Sequence, residues 1–191
     1  MKFSIITPTY SRPAALAKCI DSVRMQTYSN WEQLICSDGH SAADELCVNS
    51  LQDGRLIYSS VESSNVCTYG NRQRNKLIQE ATGDYFIFLD DDNTIFPNYF
   101  ELAMRFVSIE IGILIFKIMH NIVGIIPRQD QIHSGEFDSL NIMVRKDIAQ
   151  QFAWNENEYA ADYSYAKACE EYCIKNEIEI RYVNKIIGSH N

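Results

Sequence analysis

The chain is sparing with the two residues that punctuate a backbone: its 191 positions hold eight glycines and four prolines. No Pro/Gly/Ser-rich stretch or composition break divides it, and no segment repeats. One domain with a sizeable core is therefore expected. Glycine is missing where two nucleotide-binding folds would need it. The segment after the first apolar run, "TPTYSRP", has none. That disfavours the G-x-G-x-x-G turn of a dehydrogenase and the Gly-rich loop of a nucleotidyltransferase.

Positive charge is scarce as well, with Lys+Arg 17 against Asp+Glu 25 and a net charge of −8. Non-specific nucleic-acid binding depends on neutralising phosphates, so no nucleic-acid partner is expected. A phosphorylated small ligand would need a local source of positive charge, and a metal ion is the obvious one. Disulfide spacing is also absent. Cys19, Cys36, Cys47, Cys67, Cys169 and Cys173 are scattered, several at core-like positions, which suits reduced thiols in the cytoplasm. Cys169 and Cys173, one helical turn apart, read as one packed helix face. The N-terminus, interrupted by Pro8, is too short for a signal peptide. The most apolar run, 109–126, carries Glu110, Lys117, His120 and Asn121, and reads as two core strands with a turn near His120–Asn121.

What is present alternates. "FSIITP" reads as a buried strand, followed by a helix with Ser11 as N-cap and Pro13 in its first turn. "WEQLICSDG" is a second strand, and Ser41 with Asp44 suggests a capping box for a helix to about Leu51. "RLIYSSV" is a third strand. A helix from about Tyr69 to Ala81, stopped by Gly83, leads into the strand "YFIFL". Pro97 opens a helix through about Val107. After the Ile-rich strands come a strand "NIMVR", a helix 146–153, a loop 154–160, a helix 162–175 and a last strand "IEIRYV". This order predicts an α/β fold, a mixed but mostly parallel Rossmann-like sheet flanked by helices.

Ligands of open parallel sheets bind outside the carboxyl ends of the strands. Thr7-Pro8-Thr9-Tyr10, Ser37-Asp38-Gly39 and Asp90-Asp91-Asp92 all fall at such ends. Asp90 and Asp92, two apart, are oxygen donors suited to Mg²⁺ or Mn²⁺, and a cation would relieve their repulsion. The same residues are also good turn chemistry. Asp91 is a further ligand or a solvated neighbour. Asp38 has the chemistry to accept from a ribose or base, or to make an Asp-Gly turn. Tyr10 offers a ring for a base, or a cover for the sheet edge. In "YGNRQRNKL", Arg74 and Asn75 sit nearer the apolar side of the helix than Arg72 and are expected to point inward as ligands.

The ordered set "FSIITPTYSRPAALAKCIDSV", "QLICSDG" and "GNRQRNKLIQEATGDYFIFLDDDN" resembles the family 2 glycosyltransferases of GT-A fold, over residues 1–100. The resemblance implies a nucleotide-sugar donor, UDP by family frequency, bound by residues 1–100, with Asp38 near the base. It makes Asp90-x-Asp92 the metal–diphosphate motif, with Asp91 beside the donor, and implies inversion at the anomeric carbon. Residues 101–191 would form the acceptor half. There "AADY" matches the family's acidic pair only at Asp162, the expected base, at a position where an Asp is also a good N-cap. His190 is similar to a late His that reaches the metal or diphosphate. Glu136, Asp138 and Asn141 lie where the family often lines its acceptor site. The acceptor would be a hydroxyl of a glycan, lipid-linked or protein-linked, placing the chain in the cytoplasm or at the cytoplasmic face of a membrane. Further domains of a longer protein would complete it. The missing acidic residue before Asp162 keeps a catalytically impaired binding relative as the alternative.

Overall fold

The computed structural model describes residues 1–63 and 67–190. Its strands are β1 (Phe3–Thr9), β2 (Trp31–Asp38), β3 (Leu56–Val61), β4 (Tyr85–Phe88), β5 (Thr94–Ile95), β6 (Ile111–His120), β7 (Gly124–Ile126), β8 (Ile142–Arg145) and β9 (Glu179–His190). They form one sheet in the order β3-β2-β1-β4-β8-β6-β9-β5, with β7 on β6. Strands β1 to β4 are parallel neighbours. Strand β8 runs antiparallel to both β4 and β6, so β6 and its parallel partner β9 regain the direction of β1. The carboxyl ends of β1, β2, β4, β6 and β9 therefore share one rim.

Alternation along β1 and β4 feeds cores on both faces of the sheet. Ile6, Phe86 and Phe88 join Leu77, Ile78, Tyr165 and Ala166 beneath helices α3 (Asn71–Glu80) and α6 (Ala161–Lys175). Phe3, Ile5, Tyr85 and Ile87 pack on the other face, against Cys19 and Val23 of α1 (Pro13–Arg24) and Tyr99 and Phe100 of α4 (Tyr99–Ala103). Helix α2 (Ala42–Asn49) packs Val48 on Leu16 and Ile20 of α1, and α5 (Lys146–Ala149) buries Ile148. Cys169 and Cys173 are buried in the first of these cores, free thiols on one face of α6 as the spacing predicts. The apolar run 109–126 forms β6 and β7, and among the described residues no helix is long and apolar enough to cross a membrane.

Several local expectations are corrected. The residue capping α1 is Arg12, without a side-chain cap bond, while Ser11 sits just outside it at φ +50°. Only half of the box at α2 forms. Ser41 accepts from the Asp44 N–H at 3.2 Å, but the Asp44 carboxylate takes the Ser11 N–H at 3.0 Å instead of closing the box. Helix α3 ends at Glu80, and Gly83 serves the next strand: a Cβ there would lie 2.6 Å from the Ser4 hydroxyl. Helices α4 and α5 are shorter than predicted, and β9 runs on to His190 through register shifts near Lys117 that hide its length from a simple alternation rule.

Candidate active site

Two cavities open on the shared rim. The first, of about 340 Å³, is lined by Pro8, Thr9, Tyr10 and Arg12 from the end of β1, by Asp38 from β2, and by Tyr69, Gly70, Arg74 and Asp90. The second, of about 440 Å³, is lined by Asp138, Asp162, His120, His190, Trp154 and Tyr159, and shares Tyr69, Arg74 and Asp90 with the first. Both volumes fall in the range of about 300–1,000 Å³ typical of small-molecule sites.

The shared wall centres on Arg74, 4% exposed. Its guanidinium donates to Asp90, to the Tyr69 carbonyl at 2.9 Å and to Asn71 Oδ1 at 3.0 Å, and it stacks over Trp154 at 4.7 Å. Its Nε is a buried donor that no group among the described residues satisfies. Helix α3 begins beside this residue because Gly70 takes φ +78°, and a Cβ at Gly70 would lie 2.9 Å from Pro8. Arg72 instead faces outward and donates to the Glu62 carbonyl, as the helix geometry predicts.

The three aspartates have three environments. Asp90 faces Arg74 and both cavities, and burial raises its carboxyl above the usual range against the Arg74 charge, with Asp138 and Asp92 adding to the rise. Asp91 has no exposed surface. It accepts from the Thr9 hydroxyl at 2.7 Å and pairs with Arg12 at 2.6 Å, and burial pushes its carboxyl up to about 6. Asp91 is thus an internal latch, lining neither cavity and not a solvated neighbour. Asp92 pairs with Arg12 at 2.8 Å on the partly exposed side.

Other expected binding residues are structural. Thr7 is buried and accepts from the Gln33 amide at 3.0 Å, while Thr9, Pro8 and Tyr10 do reach the first cavity. Asn75 points inward, but its amide brackets the Trp154 backbone, donating to its carbonyl at 2.9 Å and accepting its N–H at 2.8 Å. Asn141 is buried. It closes a capping box with Asp138 around the 3-10 turn Ser139–Asn141 and donates to the carbonyls of Phe116 and Ile126. Glu136 pairs with Arg128. Of these three, only Asp138 lines the second cavity.

Asp162 stands in the first turn of α6, where Ala160 is the capping residue. Its Oδ1 accepts the Tyr163 N–H at 2.7 Å. Burial lifts its carboxyl to about 6, helped by Asp138 and Asp90 and opposed by the Tyr163 amide and Arg74. His190 closes β9, and its Nδ1 meets Asp138 Oδ2 at 2.8 Å, which raises the imidazole pKa. His190 also stacks on His120 at 4.3 Å, because the β6–β9 register pairs the two strand ends.

Asp90, Asp92 and His190 carry carboxylate and imidazole donors of the kinds that divalent cations take. Both aspartates bear electrostatically on His190. Among the described residues no three acidic, His or Cys side chains already stand together as a metal cluster.

Sequence reasoning missed Arg12, Asn71, Trp154, Tyr69 and Tyr159. Arg12 follows "TPTYS" directly, the one signal available. Asn71 donates to the carbonyls of Asn155 at 2.9 Å and Glu158 at 3.0 Å, contacts that span more than eighty residues.

Known proteins resemble this chain in sequence and in fold. The family model described as Glycosyl transferase family 2 matches residues 4–166. A Streptococcus pneumoniae protein, "Glycosyltransferase GlyA", is 33% identical over 106 residues, 54% of this chain and 15% of the relative. The Escherichia coli "UDP-Glc:alpha-D-GlcNAc-diphosphoundecaprenol beta-1,3-glucosyltransferase WfgD" is 32% identical over 101 residues, 53% of this chain and 39% of the relative. The chain thus spans well under half the length of either. The structure of Staphylococcus aureus TarS 1-349 in complex with UDP-GlcNAc superposes with a TM-score of 0.80 at 18% identity, covering 100% of this chain and 58% of that one. At that identity the likeness establishes the fold, and it is the expected mixed α/β sheet.

Proposed function

Because this chain belongs to glycosyl transferase family 2, we propose that its rim transfers a sugar from a nucleotide-sugar donor to an acceptor hydroxyl with inversion. The observation that carries this reading is the pair of cavities joined at Arg74 and Asp90. The first is lined wholly by residues from the first hundred, and the second mostly by residues beyond them, in keeping with a donor half and an acceptor half.

In the donor cavity Asp38 accepts from the base or ribose, with the exposed Tyr10 ring beside it. UDP is the favoured nucleotide, as in the name of WfgD and in the TarS complex. The diphosphate lies toward the rim, where the Arg74 Nε is a ready donor. Asp90, Asp92 and His190 would hold Mn²⁺ or Mg²⁺, and the ion, when bound, offsets the charge gathering on the leaving diphosphate.

The acceptor hydroxyl enters from the second cavity. Asp162 takes its proton as the oxygen bonds to the anomeric carbon, and the bond from that carbon to the diphosphate oxygen breaks on the opposite face. The products are an inverted glycoside, a nucleoside diphosphate and protonated Asp162. A carboxyl near 6 is ionised at neutral pH yet basic enough to serve. Much of the gain comes from holding hydroxyl and base in line. The acceptor is a glycan, lipid-linked or protein-linked hydroxyl. A lipid-linked one would bring the chain to a membrane face.

A thermal-shift screen of UDP-, GDP- and dTDP-sugars, with and without Mn²⁺, tests the donor reading. A shift with one sugar nucleotide that grows with Mn²⁺, followed by nucleoside diphosphate release on adding acceptor, is the expected result. No shift with any of the three would overturn it.

A further inference from the structure

We propose that Tyr69 and Tyr159 form a stacking platform at the mouth of the second cavity, selecting an acceptor that presents a pyranose ring. This rests on the donor–acceptor reading above and narrows its acceptor class.

The two rings are 46% and 83% exposed, yet they meet edge to face at 5.4 Å and 81°. Paired, exposed aromatics beside a cavity mark a ligand surface better than scattered ones do. Their supports are unusually fixed for surface residues. Tyr69 holds φ +53°, disfavoured for an aromatic residue, with its carbonyl bonded to buried Arg74. Tyr159 follows Glu158, whose carbonyl is held together with that of Asn155 by the amide of Asn71, itself 2% exposed. Rings held this way lose little freedom when a ligand arrives.

Placement and polarity identify the ligand. Tyr69 lines both cavities, and Tyr159 lies in the same chamber as Asp162. Asp138, Ser139 and Asn121 supply polar groups around that chamber. An apolar platform ringed by hydrogen-bonding groups matches a pyranose, which carries C–H bonds on its face and hydroxyls at its edge. An aliphatic alcohol would leave the polar groups unmet. An anionic acceptor would meet the carboxylates of Asp90, Asp138 and Asp162, opposed by Arg74 and by a His190 imidazole already engaged by Asp138.

Saturation-transfer NMR on the intact chain tests this, using methyl glycosides of glucose, galactose, mannose and N-acetylglucosamine, with glycerol as a ringless polyol. At least one glycoside should take saturation at its ring C–H protons while glycerol takes little. Tyr159→Phe should keep that signal. Tyr159→Ala and Tyr69→Ala, with melting temperatures checked, should lose it by about fivefold. Undiminished signals in both folded alanine variants, equal signals from glycerol, or no glycoside binding by the wild type would each overturn the platform. A separate UDP titration keeps the two readings apart. A chain that binds glycosides through Tyr159 but no nucleotide supports the platform and sinks the donor assignment.

Discussion

Arg12 Nη2 lies 2.6 Å from an oxygen of Asp91, and the same guanidinium reaches Asp92 at 2.8 Å. Three consecutive carboxylates at the end of an apolar strand are thereby divided between two arginines, Arg74 taking Asp90 and Arg12 taking the other two. The arrangement fixes the middle aspartate as scaffold, while Asp90 faces both cavities and Asp92 stays partly exposed.

That division predicts an asymmetry in stability. Arg12→Ala should cost about 3 kcal/mol in urea unfolding, since it strands the buried Asp91 charge, at the low end because Arg12 keeps half its surface in water. Adding Asp91→Asn should recover most of the loss. A double variant as unstable as the single one would show that the pair is not the source.

Asp92→Ala should behave differently. Its ion pair is partly exposed, so the stability change should stay under about 1 kcal/mol. The Mn²⁺-dependent part of the sugar-nucleotide thermal shift should disappear. Retention of that increment would remove Asp92 from the cation site.

Asp162→Asn should keep nucleotide binding and lower transfer by about 10²–10⁴-fold, the usual contribution of a positioned base. Product formation at saturating donor is the measurement. A folded variant with full activity would end the base assignment.

The same residue sets a pH dependence. With its carboxyl near 6, kcat/KM should fall about tenfold per pH unit below that value. Stability moves the other way. The folded carboxyl holds its proton more tightly than the unfolded one, so this contribution is complete below about pH 4 and is lost as pH rises through about 6. Melting temperatures between those limits should decline less steeply for Asp162→Asn than for the wild type.

Gly70→Ala should destabilise the fold by about 1–3 kcal/mol, from the left-handed backbone and the approach to Pro8 together. Nucleotide affinity should drop with it, because Arg74 starts from that turn. Unchanged unfolding and binding curves would contradict the close packing.

The strand ends were legible in the chain because apolar runs and turn residues are local signals, and parallel topology does the gathering. Thr9, Asp38 and Asp90 reach one rim for that reason, whereas His190 closes a strand that runs past the expected "IEIRYV". Facing was less legible. Thr7 and Asn75 belong to the right segments, but their polar groups go to Gln33 and to the Trp154 backbone. Such choices depend on partners 26 and 79 residues away, which no window along the sequence contains. Arg12 escaped notice for a related reason: only the folded chain reveals that a buried Asp91 requires a counter-charge.

Asn71 has a consequence for how the site can change. It grips the segment before Tyr159 through two backbone carbonyls, which every residue type supplies. Residues 155–160 can therefore vary without loosening these two bonds, provided the turn that Asn155 and Glu158 brace is kept, while Arg74, one turn further along α3, keeps hold of Asp90. The segment behaves as an exchangeable cassette, so grafting it between relatives should alter which acceptors are taken while the nucleotide preference stays put.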